Sequence, residues 1–271
     1  MSRLLIVLLV LVSVSAACSG SPTEPPPDPM ALVTTAAENI RETETFRMLV
    51  ERTGAPYFIL TDLGNVAFRR AMAQYVAPNV MEAQVRLIAA GLPTEVGVFS
   101  RGDQQWYRND ILTGGQWYNA PFSPGFNPQA LIAEETGFQQ SLQALIGMTY
   151  AGEETLEDGS PVFHLDATAN GGDVTALLAG LIEMGGTVDV DVYIHRETLA
   201  PVRFVIVQPD TVTEDEPEPT SWTIDIYDIN APAQIDDPEA AAAAQPDPAG
   251  TIAAGAEAIS TAVNDLPGAG G

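Results

Sequence analysis

One cysteine, no lysine and two histidines are all that these 271 residues offer of the side chains that most often do chemistry. A single thiol cannot build an intramolecular disulfide framework or a Cys-rich metal site. The missing lysine removes Schiff-base catalysis. His164 and His195 stand in strand-like patterns, V-F-H-L-D and the end of V-D-V-D-V-Y-I-H. The chain has no G-x-S-x-G serine, no H-E-x-x-H pair and no Gly-rich phosphate loop. Positive charge is equally scarce: 11 arginines face 36 acids, for a net charge of −25. Nucleic acid and anionic headgroups both need a basic footprint, so neither is an expected partner. After residue 17 no apolar run approaches the roughly 20 residues that cross a bilayer as a helix.

What is present begins with those 17 residues. Arg3, the apolar run Leu4 to Val14 and the small residues Ser15-Ala16-Ala17 have the three parts of an export signal. The only cysteine, Cys18, follows at once. V-S-A-A-C resembles a bacterial lipobox, with Ser15 where leucine is usual; the resemblance implies cleavage before Cys18 and acylation of its thiol. Acyl chains contribute about 0.8 kcal/mol per buried methylene, so two or three would hold the protein on a membrane. Residues 18–29 then read as a lipidated cysteine and a Pro-rich tether, extending about 3.1 Å per residue. Residues 239–271 are Ala/Gly/Pro-rich and are expected to be a disordered tail.

Between these ends, residues 30–238 are patterned as one domain. Pro29 to about Thr45 reads as an amphipathic helix with Leu32, Ala36, Ile40 and Thr43 on one face. Strand-like alternations follow: FRMLVERTG, AFRRAMAQYV, VMEAQVRLIA, TEVGVFS and QQWYRN. Residues 128–147 and 172–185 switch to a helical period, with Gly137 a break in the first. A second strand series runs from Met148 through PVFHLDAT, TVDVDVYIHR, APVRFVIVQ and SWTIDIYDI. Val188, Val190, Val192 and Ile194 alternate with Asp189, Asp191, Tyr193 and His195, so one face of that strand is wet. The expected fold is α+β: nine or ten antiparallel strands in a large curved sheet, apolar on one side, with a few helices against that side.

The acidic groups suggest no chemistry. Asp189/Asp191 and the run 213–220 lack an oxygen-rich loop and read as solvated faces, without a metal. Glu153, Glu154, Glu157 and Asp158 crowd a turn rather than flank a substrate. No catalytic residue, metal or cofactor is expected.

Several segments together resemble the LppX/LprAFG lipoproteins of the bacterial envelope, a branch of the LolA/LolB-like lipoprotein-carrier fold. They are AMAQYVAPNVMEAQVRL, VGVFSRGDQQWYRND, LTGGQWYNAP, FNPQALI, LEDGSPVFHLDA and VDVDVYIHRETLAPVRFVI. His195 stands where that last hairpin usually has Asp. The resemblance implies a LolA-like half-barrel wrapped around helices, enclosing an apolar cavity for the acyl chains of a lipid or glycolipid. Candidate cavity residues are Met81, Val85, Leu87, Val96 and Val98 on strands, with Leu142, Leu145, Leu177, Leu178 and Leu181 on helices. The expected function is a membrane-anchored carrier on the extracytoplasmic face of the cell membrane, serving a lipid ligand and an envelope transporter or other protein partner. The alternative is an envelope sensor of the same fold that binds a protein through loop 112–128, with Trp117, Tyr118, Phe122 and Phe126. A hydrolase is a third reading, disfavoured by the missing nucleophile–base pair.

Overall fold

Alternation of apolar and polar residues becomes one open antiparallel sheet of twelve strands in the computed structural model, which describes residues 25–61 and 64–244. The strands are β1 (Thr45–Thr53), β2 (Phe58–Thr61), β3 (Gly64–Val76), β4 (Val80–Ala89), β5 (Leu92–Arg101), β6 (Gln104–Arg108), β7 (Tyr118–Asn119), β8 (Ile146–Thr155), β9 (Pro161–Asn170), β10 (Thr187–His195), β11 (Pro201–Gln208) and β12 (Thr220–Tyr227). They pair in the order β7-β6-β5-β4-β3-β1-β12-β11-β10-β9-β8, with β2 beside β3. The extra strands beyond the ten expected are the short β2 and β7, too brief to leave a period in the sequence.

Helix α1 (Pro29–Arg41) starts where Asp28 accepts the N–H of Met30 and Pro29 sets the first turn. It buries Leu32, Val33, Ala36, Ala37 and Ile40. It stops at Arg41, short of Thr45; Thr43 is buried beyond it and donates its hydroxyl to the carbonyl of Ile40. The helical reading of 128–147 divides into a 3-10 turn (Pro128–Leu131) and α2 (Gly137–Gln143), with β8 already begun at Ile146. Gly137 causes the division: its φ is +66°, and a Cβ there would lie 2.0 Å from the carbonyl oxygen of Leu131. The reading of 172–185 shrinks to α3 (Gly171–Val174) and a 3-10 turn (Thr175–Leu178), ended by Ala179 and Gly180, both left-handed.

The helices lie on one side of the sheet, mostly over β8 to β11, and α1 packs on α2. Beneath them the inward residues of β10, β11 and β12 are large: Val188, Val190, Val192, Ile194, Phe204, Ile206, Trp222, Ile224 and Ile226 are all 0–2% exposed. Phe138 of α2 sits 6.1 Å from Phe204 and 6.0 Å from Phe46, which stacks on Tyr75 at 4.8 Å. Tyr75 donates its hydroxyl to the carbonyl of Pro78, and burial pushes its pKa up to about 12. Trp222 donates its indole N–H to Gln208, so its polar atom is satisfied inside the core.

After β12 the chain doubles back as a strap over the outer face of the sheet. Gln74 exchanges two hydrogen bonds with the backbone of Gln234, and Glu82 accepts the N–H of Asp236. Arg108 pairs with Asp236, and Arg101 with Asp237 and Glu239. The strap leads into α4 (Pro238–Ala244), the start of the stretch expected to be a tail. The rest of the tail, the export signal, Cys18 and the tether up to residue 24 lie outside the described residues.

Candidate functional site: an apolar cavity

Small side chains create the site. On β3 and β4 the inward positions hold Ala71, Ala73 and Ala83, where β10 to β12 hold Val, Ile, Phe and Trp. Register pairs Ala73 with both Met48 and Ala83, and Ala83 with Val98, so four adjacent strands share one shallow row. Above it lies a cavity of about 360 Å³. That volume falls in the lower part of the range typical of small-molecule pockets, about 300–1,000 Å³.

Its wall is Met48 and Val50 of β1, Ile59 of β2, Phe68, Ala71 and Ala73 of β3, Met81, Ala83, Val85 and Leu87 of β4, and Val96 and Val98 of β5. Its lid comes from two irregular segments, Phe122-Ser123-Pro124 and Leu178 to Ile182. Ser123 is the one polar residue among those that line it.

One buried polar side chain fixes the first lid segment. Gln105 on β6 accepts the N–H groups of Phe122 and Ser123 through Oε1, each at 2.9 Å. Its Nε2 donates to the carbonyls of Ser123 at 2.7 Å and Phe126 at 3.2 Å. Every group on the amide is used, so a backbone without regular structure is held in place over the cavity. Arg52 does related work at the C-terminal end of β1, 5% exposed and donating to the carbonyls of Phe68, Gly54 and Ala55. Burial, with Arg69 nearby, draws its pKa below the ordinary arginine value.

Of the residues expected to line a cavity, Met81, Val85, Leu87, Val96, Val98, Leu178 and Leu181 do so. Leu142, Leu145 and Leu177 do not: they are 0%, 7% and 1% exposed within the packed core. The correction follows from the shortened helices: Leu142 lies in α2, Leu145 just beyond it and Leu177 in the 3-10 turn after α3, all within the packed core. Sequence reading missed Ala71 and Ala73. A register shift between Phe68 and Arg70 puts Phe68 and Ala71 on the same face, three residues apart, and breaks the two-residue period. Gln105 was also missed, hidden in the Q-Q-W-Y-R strand; a glutamine at a position of inward parity was the available signal.

The outer face holds the titratable groups. Among the described residues, one set of three has metal-ligand proximity, His164, Asp166 and Asp191. His164 Nε2 lies 3.1 Å from Asp191 and 3.2 Å from Asp166, and Nδ1 lies 2.8 Å from Glu154. Tyr193 stacks on the ring at 4.4 Å. Burial pulls the His164 pKa down, but the hydrogen bonds to Asp191 and Glu154 outweigh it and leave the value raised. Asp191, read from sequence as a solvated acid, is thus part of an imidazole–carboxylate network. His195 makes a turn: its Nδ1 accepts the N–H groups of Glu197 and Thr198, both at 3.3 Å, as an Asp carboxylate would.

Known proteins place this arrangement. A family model described as LppX_LprAFG lipoprotein matches residues 28–235. LprF from Mycobacterium bovis superposes with a TM-score of 0.57 at 13% identity, covering 79% of this chain and 98% of its own. The lipoprotein LppX of Mycobacterium tuberculosis gives 0.50 at 17% identity, covering 76% and 97%. A LolA superfamily protein from Nitrosomonas europaea gives 0.28 at 10% identity, covering 78% and 96%. At such identities the likeness to LprF and LppX is one of fold. No curated protein matches the sequence.

Proposed function

The chain belongs to the LppX_LprAFG lipoprotein family, and from that premise we propose that it binds the acyl chains of a lipid or glycolipid in its apolar cavity and carries or presents that lipid in the cell envelope. The observation that supports this reading most is the lining: about 360 Å³ of space with Ser123 as its one polar residue. Acyl chains gain about 25 cal/mol for each Å² of apolar surface withdrawn from water there, and little else would bind. A headgroup finds no partner inside and would stay at the mouth. We assign the cavity no catalytic step, since its lining offers no acid or base.

Cys18 is the proposed lipid anchor, with the Pro-rich residues after it as a spacer on the extracytoplasmic face of the membrane. Among the described residues no helix is long and apolar enough to cross a membrane.

Mass spectrometry of an organic extract of the purified full chain carrying Cys18→Ser tests the binding step. The expected result is a co-purifying acyl lipid in the native cavity and its loss in Ala83→Leu. An empty chain that also fails to take up a fluorescent fatty acid would overturn the proposal.

A further inference from the structure

The strands are antiparallel, so their register assigns every loop to one of two ends of the sheet. At one end lie the β4–β5 hairpin, the start of β2, the loop after β6 and the segment after α3, and, farther along the sheet beside β1, the β11–β12 loop 209–219 with Asp210, Glu214, Asp215, Glu216 and Glu218. This end holds Leu92, Phe58, Ile111, Leu112 and Leu181, which are 70%, 55%, 85%, 58% and 36% exposed. At the other end the strand-joining turns 77–79, 102–103, 156–160 and 196–200 contribute no exposed large apolar side chain.

The apolar end is continuous with the cavity. Ala89 pairs with Leu92 across Ala90 and Gly91, both left-handed, which makes a two-residue hairpin tip. Leu92 has the parity of Thr94, Val96 and Val98, so it extends the cavity-lining row of β5 to the tip. Ile111 and Leu112 are held beside that row by Asn109. Its Nδ2 donates to Thr94 Oγ1 at 3.3 Å and to the carbonyl of Glu95 at 2.8 Å. Its Oδ1 accepts the N–H groups of Ile111 and Leu112 at 3.0 and 2.9 Å. Leu181 belongs to both the lid and the rim.

The segments that carry these apolar side chains lack charge, the acids of this end being gathered in loop 209–219. In a chain of net charge −25, residues 55–61, 87–94, 111–133 and 174–182 contain no Asp, Glu, Lys or Arg. These four segments carry all five exposed side chains. Ile111 and Leu112 stand together on one loop, with Phe58, Leu92 and Leu181 on three other segments. That form suits a fluid apolar phase, and the acidity of the rest of the chain opposes an anionic one.

We infer that this end docks on the surface of a bilayer with neutral or zwitterionic headgroups, inserting the tips that carry Phe58, Leu92, Ile111, Leu112 and Leu181 so that the cavity opens onto the acyl layer. The inference rests on the lipid-binding reading and specifies how the ligand is exchanged.

The test uses the full chain with Cys18→Ser and a single new cysteine carrying an environment-sensitive nitrobenzoxadiazole dye. Leu112→Cys reports the apolar end, and Glu197→Cys, exposed in the turn after β10, reports the opposite one. On adding phosphatidylcholine vesicles, the dye at 112 is expected to brighten and shift to the blue and to be quenched by nitroxide-labelled acyl chains. The dye at 197 should not change. Leu92→Asp should abolish the response at 112 while the circular dichroism spectrum is kept. No response at 112, or an equal one at both positions, overturns the inference. A response without vesicles that grows with protein concentration overturns it too, assigning the surface to a second copy of the chain. Lipid content measured on the same preparation separates the two proposals. Insertion by a chain that never holds lipid would overturn the carrier reading alone, and a loaded chain that does not insert would overturn the docking alone.

Discussion

The β10–β12 half of the sheet and the β3–β5 half present the same kind of surface to the same side, yet one is solid and the other hollow. In the first, the inward positions are Val, Ile, Phe or Trp apart from Gln208 and Thr220 at one end, and α1 and α2 lie over them. In the second, three central positions are alanine and the cover is a pair of irregular segments. Alanine in place of isoleucine withholds three carbon atoms per position, and no helix descends to take up the space. Protein interiors are otherwise packed like organic crystals, so a row of small residues beside an otherwise full core leaves room for a ligand. The lesson is that the cavity arises from side-chain size and uneven helix cover.

The sharpest way to break the comparison is to hollow the solid half. Trp222→Ala removes the largest fully buried side chain and strands the amide of Gln208. It should cost about 3–5 kcal/mol, read as a fall in the urea midpoint. Releasing the lid of the hollow half should cost less. Gln105→Ala removes four hydrogen bonds to lid backbone, and a loss of about 1–3 kcal/mol is expected, because the freed groups can reach water. Its diagnostic effect is faster exchange of a fluorescent fatty acid, measured by stopped flow.

Filling the hollow half should cost less again. Ala83→Leu places its added carbons in existing space, so stability should stay within about 1.5 kcal/mol of wild type while acyl-lipid uptake is lost. A loss of several kcal/mol, with uptake retained, would mean that the space is not a binding volume. The smallest effect belongs to the outer face of the solid half. His164 has a raised pKa in the folded chain, so the stability it adds is fully present below its unfolded value of about 6.5 and disappears as pH rises through the folded value. His164→Gln should therefore lower the melting temperature at about pH 5.5 and leave it unchanged at about pH 8.5, by less than about 1 kcal/mol because Glu154 and Asp166 are half in water.

Much of the solid half was legible in the sequence. V-D-V-D-V-Y-I-H keeps a two-residue period without interruption, and all four of its apolar residues are buried. The start of α1 was equally plain, because Asp28-Pro29 caps it by local rules. The hollow half was half legible: Met81, Val85, Leu87, Val96 and Val98 face the cavity as their period requires. The bulge at Phe68 to Arg70 hid the two alanines of β3, since an extra residue on one strand leaves no mark in composition. Which helix stops early was hidden as well. Gly137 and Gly180 marked the breaks, but the leucines beside them read as one continuous stripe. Gln105 left only its inward parity as a sign, because its four partners are backbone groups, which every sequence has.

The strap after β12 has a mechanical consequence. It crosses β3, β4, β5 and β6 on the side away from the cavity and is fastened to each through Gln74, Glu82, Arg101 and Arg108. Glu82 is 8% exposed, and burial raises its pKa, so the fastening is set into the wall rather than laid on it. A sheet braced from behind resists unbending. Residues 122–124 and 178–182 are then the part of the wall that the proposed acyl ligand would have to displace.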